Sequence, residues 1–382
     1  MGDYPYFTDV QKDVREIAQG AAQEFKETAA EADRTADYHI VEKNLKRLGE
    51  LGLLGLQVPE EYGGTGLGYV SHFVALEEIA RTCLSTAFSF NTQRLAMDAI
   101  LVGATEEQKK KYLPPLCKDK ISSFATTEPE AGSDVAAMKT RAILEGNEYV
   151  LNGTKHFITN AVFADTNVLL AVTDPEQKTR GFSSFVVEKG TPGFKFSKVE
   201  NKMGAKATPT TEYFLDSCRI PKENLLGTAG EGFASAMKAL EIARIGIGIQ
   251  ALGLSKAALE IAIEYAKERV QFGRPIIKNQ GIQFMIADMA TQVEVSENLL
   301  YHAAWLKDRG APITKEASIA KLFATEGCLY VTDKAISILC GVGYTKDYPV
   351  ERYHRDAKVL EMGGGTSEIQ RLIISRQVIG KL

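Results

Sequence analysis

The sequence predicts a mixed α+β chain in which a small β domain separates two helical domains. Apolar residues recur at helical spacing before about residue 120 and again after Gly232. Between these regions, short β-type runs alternate with turn residues. We therefore expect an N-terminal α-helical domain over residues 1–121, a central β-barrel-like domain over 122–231 and a C-terminal four-helix bundle over 232–382.

The N-terminal region shows the helical spacing most clearly in a row of leucines. One helical face is marked by Leu45, Leu48, Leu51 and Leu54. A stretch rich in glycine and other turn residues follows over 57–68, which predicts a loop. Further helices are expected over 73–80 and 85–100.

The central region changes to the pattern typical of strands near Ser122. Seven short β-type runs are separated by turn residues. They cover residues 122–127, 148–151, 156–159, 168–172, 184–187, 194–199 and 212–215.

The C-terminal region returns to helical spacing, beginning with one very long apolar helix. The predicted helices cover 233–269, 282–309, 314–340 and 367–378. Before the last of them, the stretch from Arg355 reads as a loop that leads into a glycine corner. Ser367 and Gln370 have the spacing of a capping box, which predicts the start of the last helix.

Composition excludes several classes of function. The net charge of −4 argues against nucleic acid or an anionic membrane as the main partner. We expect no membrane insertion, because no apolar run looks long enough to span a bilayer and no signal peptide is evident at Met1. The five cysteines show no CxxC spacing, so we expect reduced thiols in a cytoplasmic protein and no metal site.

Four motifs, in order along nearly the whole chain, resemble the signatures of the acyl-CoA dehydrogenase family. They occupy residues 127–134, 152–160, 269–273 and 355–370. The resemblance implies FAD as the cofactor and an acyl-CoA as the substrate. It also implies an electron-transferring flavoprotein or a similar acceptor as the partner. The third motif reaches a neighbouring subunit's FAD in that family, so a homotetramer is implied as well.

The resemblance also implies which residues bind FAD. In the β domain they are Phe124, Thr126, Thr127, Gly132, Ser133, Phe157 and Thr159. In the helical bundle they are Arg269, Phe272, Gln280, Ser337, Gly341, Thr366 and Glu368. Phe157 stands where family members carry an aromatic side chain over one flavin face. Ser337 departs from the pattern, because family members have Gln at that position.

For the substrate, the resemblance implies contacts from Ser133, Arg244, Gly363 and Gly364. The family's chemistry also needs a carboxylate that removes the α proton of the thioester. Most members place a Glu at the position of Gly364, and others place it at the position of Ala243. Both positions lack a carboxylate here, although the backbone N–H of Gly364 can still bind the thioester oxygen.

Three interpretations of the missing base stay open. The chain is a family relative that binds acyl-CoA without turning it over, a short-chain or cyclohexanecarboxyl-CoA dehydrogenase with its base elsewhere, or an enzyme whose substrate has no α proton. The last interpretation resembles a branch of the family that converts cyclohex-1-ene-1-carboxyl-CoA to a cyclic diene. That branch takes the proton from the γ carbon with an aspartate on a loop that enters a helix of the first domain.

Asn91 falls at the position of that aspartate, and an amide cannot accept the proton. Either Asn91 marks an inactive form in which Asn replaces Asp, or Asp98, seven residues on and on the same helix face, is the base. As an alternative to a site role, Asn91 is a helix cap and Asp98 a solvated surface charge.

Overall fold

The computed structural model describes residues 6–380, and its first third is helical. The helices are α1 (Asp9–Thr35), α2 (Tyr38–Glu50), α3 (Gly68–Ala80), α4 (Leu84–Gly103) and α5 (Glu106–Lys118). A capping box starts α1, because the Thr8 hydroxyl accepts from the Gln11 N–H while the Gln11 side chain accepts from the Thr8 N–H. Helices α3 and α4 are buried almost all round, as core helices are.

A mostly antiparallel eight-stranded sheet forms the centre of the chain. The strands are β1 (Ser122–Ala125), β2 (Arg141–Glu145), β3 (Glu148–Thr159), β4 (Thr166–Val172), β5 (Phe182–Glu188), β6 (Phe194–Val199), β7 (Thr210–Pro221) and β8 (Leu225–Leu226). Their order is β6-β7-β3-β2-β4-β5-β8, with β1 pairing in parallel with β4. The runs predicted separately over 148–151 and 156–159 are one strand, β3, whose register against β7 shifts twice.

The last third of the chain is a helical bundle with a small hairpin. Its elements are α6 (Gly232–Glu268), β9 (Val270–Gln271), β10 (Arg274–Pro275), α7 (Gln280–Asp308), α8 (Thr314–Leu339), α9 (Val350–Met362) and α10 (Ser367–Ile379). Helix α6 packs against α3, α4, α7, α8 and α9. One hydrophobic core therefore runs through both helical regions. One face of β4 and β5 shares a second core with α4, α5 and α6, and the other face belongs to a core within the sheet.

Helix α9 corrects the sequence analysis, which read the stretch from Arg355 to Glu361 as a loop. The stretch lies within α9 (Val350–Met362), and this helix buries Val350, Tyr353 and Leu360. The helix ends at the glycine corner, where Gly363 has an extended backbone and Gly364 has a φ of 66°. The predicted fold class is confirmed, with α9 as an additional short helix beside the bundle helices.

Helix α6 also corrects the expectation that no apolar run could span a bilayer. By length and composition alone it is such a helix, with a mean hydropathy of 1.3 over its most apolar window. However, 89% of that window is buried inside the protein, as in the core helix of a soluble domain.

The thiols fit the sequence analysis. All five cysteines are free, and Cys340 is the exposed one. Within residues 6–380, no group of three or more His, Cys, Asp or Glu side chains could hold a metal ion.

Candidate active site

The glycine corner meets helices α4 and α6 at two apolar side chains. A Cβ built on Gly363 would lie 3.5 Å from Ile247 Cδ1 and 3.7 Å from Phe88 Cζ. A Cβ built on Gly364 would lie 3.4 Å from Ile247 Cγ1. The nearest atoms to both positions belong to backbone and apolar side chains. The corner is thus bordered by hydrocarbon, and its own residues bring no carboxylate.

Lys321 and Gln370 hold the corner by its carbonyl groups. The fully buried Lys321 donates from Nζ to the carbonyl oxygens of Glu361 at 2.7 Å and Gly365 at 3.0 Å. Gln370 donates from Nε2 to the carbonyl oxygens of Gly365 at 2.9 Å and Gly364 at 3.3 Å. Burial lowers the pKa of Lys321 to about 8. These hydrogen bonds anchor the chain on both sides of the Gly363–Gly364 peptide group, to which the Gly364 N–H belongs.

The start of α10 differs from the predicted capping box. Thr366 is the N-cap, and its hydroxyl accepts from the Ile369 N–H at 3.4 Å. The Ser367 hydroxyl is buried and has no hydrogen-bond partner among the described residues. The Gln370 side chain turns toward the glycine corner instead and donates from Nε2 to the carbonyls of Gly364 and Gly365.

Arg244 lies on α6, one turn before Ile247. Its Nε is buried and makes no hydrogen bond to any described residue. Burial lowers the pKa of its guanidinium, with Glu241 nearby opposing the shift. A half-buried cation with an unused donor fits the predicted contact with CoA, which carries phosphates and carbonyl oxygens. Ala243, the other position of the family's base, is buried.

Asn91 lies well inside α4, which corrects its expected place on the loop before a helix and removes the helix-cap interpretation. Its side chain is 5% exposed, and Oδ1 accepts from Arg94 Nε at 3.2 Å and Nη2 at 3.1 Å. A Cβ built on Gly246 would lie 2.2 Å from Asn91 Oδ1, so α4 approaches α6 closely here. Asn91 is also one turn from Phe88, which borders the corner.

Asp98, the alternative base, is fully buried rather than a solvated charge. Its Oδ2 pairs with Arg94 Nη1, and its Oδ1 accepts from the Tyr69 hydroxyl at 3.0 Å. Burial raises the pKa of Asp98 to about 6, although the Arg94 charge opposes the shift. Both carboxylate oxygens are therefore engaged, one by Arg94 and the other by Tyr69.

The end of β1, where the flavin ring was predicted, is held by a buried ion pair. Lys155 donates from Nζ to Glu128 Oε1 at 2.8 Å and to the Thr126 carbonyl at 3.4 Å. The His156 N–H donates to the Thr127 carbonyl at 2.9 Å. Phe124 and Thr126 are buried near this end, and Thr127 is half-buried. The two threonines are thus fixed in place on a rigid strand end.

Phe157 supports the predicted cofactor site by its exposure. Its ring is 60% exposed and stacks on the His156 ring at a centroid distance of 3.9 Å. Its φ of 57° is unusual for an aromatic residue. An apolar ring held in the open by a strained backbone fits a partner such as a flavin ring. Thr159, two residues on, is buried.

The remaining predicted FAD residues lie on the surface of the chain or close to it. Gly132 and Ser133 form an open turn, and no atom lies within 4 Å of a Cβ built on Gly132. In the bundle, the exposed members are Arg269, Phe272, Gln280, Ser337, Gly341 and Glu368, with Thr366 half-buried. The Phe272 ring is 100% exposed. The Ser337 hydroxyl donates to the Asp333 carbonyl at 3.0 Å, within its own helix.

Family models match the chain in three consecutive segments. The acyl-CoA dehydrogenase N-terminal domain matches residues 8–120, the middle domain 123–218 and the C-terminal domain 230–379. The chain therefore belongs to the acyl-CoA dehydrogenase family. It is an oxidoreductase of the FAD-dependent kind that this family comprises.

Similar proteins cover the chain almost completely. It is 45% identical over 371 residues to a short-chain specific acyl-CoA dehydrogenase of Clostridium acetobutylicum, covering 97% of each chain. It is 44% identical to an NADH-dependent acryloyl-CoA reductase of Anaerotignum propionicum, covering 97% of this chain and 95% of that one.

Solved structures show the same likeness. Butyryl-CoA dehydrogenase from Megasphaera elsdenii superposes with a TM-score of 0.94 at 38% identity, covering 98% of this chain and 99% of that one. A chain solved in work on the electron transferring flavoprotein of Acidaminococcus fermentans superposes with a TM-score of 0.96 at 43% identity, covering 100% of both chains.

Two residues of this site escaped the sequence analysis. Arg94 lies three residues after Asn91 and four before Asp98, so helical spacing alone indicated that the three side chains meet. Lys321 gave no comparable signal, because a single lysine on a long helix is usually a solvated charge. Its role depends on the contact between α8 and the end of α9, which only the fold reveals.

Proposed function

We propose that the chain is an acyl-CoA dehydrogenase built for cyclohex-1-ene-1-carboxyl-CoA, which it converts to cyclohexa-1,5-diene-1-carboxyl-CoA by 1,4-elimination. One observation carries the proposal. The corner at Gly363 and Gly364 brings no carboxylate to the acyl group, while the amide of Asn91 is buried one helical turn from the side chain that borders the corner.

The substrate chemistry explains a corner without a base. When the α carbon of the thioester is already sp², it carries no proton to remove. The acidic proton then lies at the γ carbon, because the double bond transmits the pull of the thioester carbonyl. A carboxylate at residue 364 would be aimed at the wrong atom, and one placed elsewhere is needed.

The shape of the corner also suits a ring. Gly363 and Gly364 contribute no side-chain volume, and the nearest side chains, Phe88 and Ile247, are apolar. A cyclohexene ring buries more apolar surface against such walls than a short straight chain does.

The residues have separate parts in the reaction. The Gly364 N–H makes no backbone hydrogen bond within residues 6–380, so it can donate to the thioester oxygen as negative charge develops. Arg244 holds the CoA part. A proton leaves the γ carbon and a hydride leaves the ring carbon on the other side of the α carbon. Bound FAD supplies the hydride acceptor.

Residue 91 is the position from which the γ proton would be taken. In this chain Asn91 lacks that capacity, because a neutral amide is not a base at ordinary pH. We therefore expect the Asn91 form to bind the thioester and turn it over slowly, and the Asn91→Asp form to turn it over faster.

The assembly and the electron acceptor are part of the same proposal. The exposed Phe272 and Arg269 would complete an FAD site on a second subunit, which supports a homotetramer. The likeness to a chain solved in work on an electron transferring flavoprotein supports a partner of that kind as the electron acceptor.

A second candidate is 1,2-dehydrogenation of a short straight-chain acyl-CoA. The names of the relatives favour it, since short-chain specific and butyryl-CoA dehydrogenases are among them. It requires a carboxylate beside the α carbon, and the residues nearest the corner do not supply one.

The test compares two thioesters and two forms of the protein. Cyclohex-1-ene-1-carboxyl-CoA and butyryl-CoA are each assayed with the Asn91 form and with Asn91→Asp. We expect the Asn91→Asp form to bleach its flavin faster with the cyclic thioester, and neither form to prefer butyryl-CoA. Faster turnover of butyryl-CoA by both forms rejects the cyclic substrate and favours the second candidate.

A further inference from the structure

The buried Arg94 determines which end of the Asn91 amide is available. A guanidinium carries only donors, so the two hydrogen bonds from Arg94 must end on Asn91 Oδ1 rather than on its NH₂ group. The amide cannot rotate by half a turn without setting donors against donors. Its oxygen is therefore occupied, and Nδ2 remains as the group that can meet a ligand.

Arg94 is itself held in place from the side opposite Asn91. Nη1 pairs with Asp98, whose other oxygen accepts from the Tyr69 hydroxyl at 3.0 Å. The Arg94 guanidinium also lies 5.6 Å from the centre of the Phe73 ring. Arg94 and Asp98 are both completely buried, so neither moves without breaking a desolvated ion pair.

We propose that Arg94 is the positioning residue for the proton-acceptor position, fixing the side chain of residue 91 and setting which atom of it faces the acyl group. The proposal rests on the proposed function, which places residue 91 beside that group. With Asn at 91, the acyl site receives an N–H donor. With Asp at 91, Arg94 would hold one oxygen of the carboxylate and leave the other free to accept the proton.

The charges around this group decide how an aspartate at 91 would ionise. Helix α4 brings Arg94 and Asp98, α3 brings Tyr69 and the buried His72, and α7 brings Lys307 near Asp98. Burial, helped by the Arg94 charge, lowers the pKa of His72, so His72 stays neutral. One guanidinium would then face two carboxylates. Burial already raises the pKa of Asp98 to about 6, so the titrations of Asp98 and of an aspartate at 91 would be coupled through Arg94.

The experiment compares Asn91→Asp in the natural background with Asn91→Asp in a background carrying Arg94→Met and Asp98→Asn. The double background removes both buried charges together, so no unpaired charge is left behind. In both backgrounds, kcat for cyclohex-1-ene-1-carboxyl-CoA is measured against pH, and the acid limb is the part of the profile where kcat falls as the pH is lowered. We expect the limb to move to higher pH by about one unit, because the lost cation contacts residue 91 directly and an adjacent cation lowers a carboxyl pKa by one to three units. The lost Asp98 charge acts in the opposite direction but makes no hydrogen bond to residue 91, so it offsets only part of this shift.

A second measurement does not depend on turnover. The carboxyl group that Asn91→Asp introduces is titrated by infrared difference spectroscopy on protein labelled with ¹³C-aspartate, with the Asn91 form as the blank. The same upward shift is expected when Arg94 is removed. With Arg94→Lys, the upward shift of the carboxyl pKa should be smaller, since lysine keeps the charge and loses the two-pronged contact.

The outcomes separate the two proposals. A carboxyl titration at the same pH in both backgrounds overturns the role of Arg94, whatever the activity shows. A shifted titration without turnover of the cyclic thioester supports Arg94 as the positioning residue and rejects the proposed function. If the double background does not fold, Arg94→Lys and Asp98→Asn are titrated separately, and an unchanged carboxyl titration in both variants contradicts the proposal.

Discussion

Lys321 donates a hydrogen bond from Nζ to the carbonyl oxygen of Gly365, 3.0 Å away, and thereby ties α8 to the glycine corner. The same ammonium donates to the carbonyl of Glu361 at 2.7 Å, near the end of α9. A cation at the C-terminal end of a helix is favourable because the last carbonyls carry partial negative charge. Lys321 thus links the end of α9, at Glu361, to the far side of the corner, at Gly365, and its part is structural.

Replacing Lys321 by Met should lower kcat more than it changes KM. The substitution keeps the apolar stem and removes both hydrogen bonds, so the chain on either side of the Gly363–Gly364 peptide group loses two of its anchors. A misplacement of about 1 Å costs on the order of 100-fold in rate, and we expect a loss of roughly 10- to 100-fold. Steady-state kinetics with the thioester that the protein turns over fastest provide the measurement.

Lys334→Met is the matched control for this change. Lys334 also lies on α8, but it is partly exposed and pairs with Asp333, its neighbour in sequence. Its removal should leave both kinetic constants within error of the natural protein. Equal effects of the two substitutions, or a wild-type kcat in Lys321→Met, would show that the corner does not depend on Lys321.

Lys321 should also affect how the free energy of unfolding depends on pH. Burial lowers its pKa from 10.5 to about 8 in the folded protein. Between these two values the unfolded chain binds a proton that the folded chain does not, so this group makes stability rise with pH. We expect the free energy of unfolding of the natural protein to increase relative to that of Lys321→Met between pH 7 and pH 10.

Urea denaturation at the two pH values measures this difference. Two other lysines with lowered pKa values, the buried Lys155 and the half-buried Lys202, contribute equally to both proteins and cancel in the comparison. A constant difference between the two proteins across the range would mean that Lys321 keeps its ordinary pKa.

Much of the fold could be predicted from the sequence because the spacing of apolar residues is a local pattern. The long helix α6 was predicted within a residue or two of its ends, since its apolar spacing is continuous. The prediction for the stretch from Arg355 was wrong because the glycines at 363–365 suggested a loop for the whole segment. Its helical signal, the buried spacing of Val350, Tyr353 and Leu360, begins before that stretch.

The candidate site was predictable only in part, for a similar reason. The fourth motif included the corner, and the resemblance to the family and to one of its branches indicated Arg244 and Asn91. The partners of Asn91 could have been read from helical spacing, but the burial of Asp98 could not, because burial depends on α3 packing against α4. Phe157 and Phe272 were found through the resemblance alone, and only the structure shows how exposed their rings are.

Arg355 should matter for stability, because it joins three parts of the chain. Its guanidinium pairs with Asp33 of α1 at 2.7 and 2.8 Å, with Glu351 at 2.8 Å and with the Met203 carbonyl at 3.0 Å. Hydrogen bonds to charged, partly buried groups are worth about 1.5–3 kcal/mol. We expect Arg355→Met to lower the free energy of unfolding by about 2 kcal/mol, measured by urea denaturation.

The surface pair of Arg371 and Glu326 serves as the comparison for Arg355. Both side chains are well exposed, so their ion pair is largely solvated. Arg371→Met should leave the urea midpoint unchanged within error. Equal midpoints for Arg355→Met and the natural protein would contradict the joining role of Arg355.

Placing a carboxylate at the corner tests whether the lack of a base at residue 364 prevents the oxidation of straight-chain thioesters. Gly364→Glu should give the protein activity toward butyryl-CoA, because a base would then stand where most of the family carries one. The position has room, since a Cβ would meet Ile247 Cγ1 at an ordinary 3.4 Å. Its φ of 66° costs a non-glycine residue about 1–2 kcal/mol, which the fold should tolerate.

Gly364→Gln is the matched control, because it has the same shape and strain without a base. We expect Gly364→Glu to oxidise butyryl-CoA at least about 100-fold faster than Gly364→Gln, in line with the usual contribution of a general base. The glutamate should at the same time reduce turnover of cyclohex-1-ene-1-carboxyl-CoA by Asn91→Asp, since its side chain occupies the space left for the ring. If the Glu and Gln variants oxidise butyryl-CoA equally well, the base for straight chains already exists elsewhere, and the glycine corner is not evidence for a cyclic substrate.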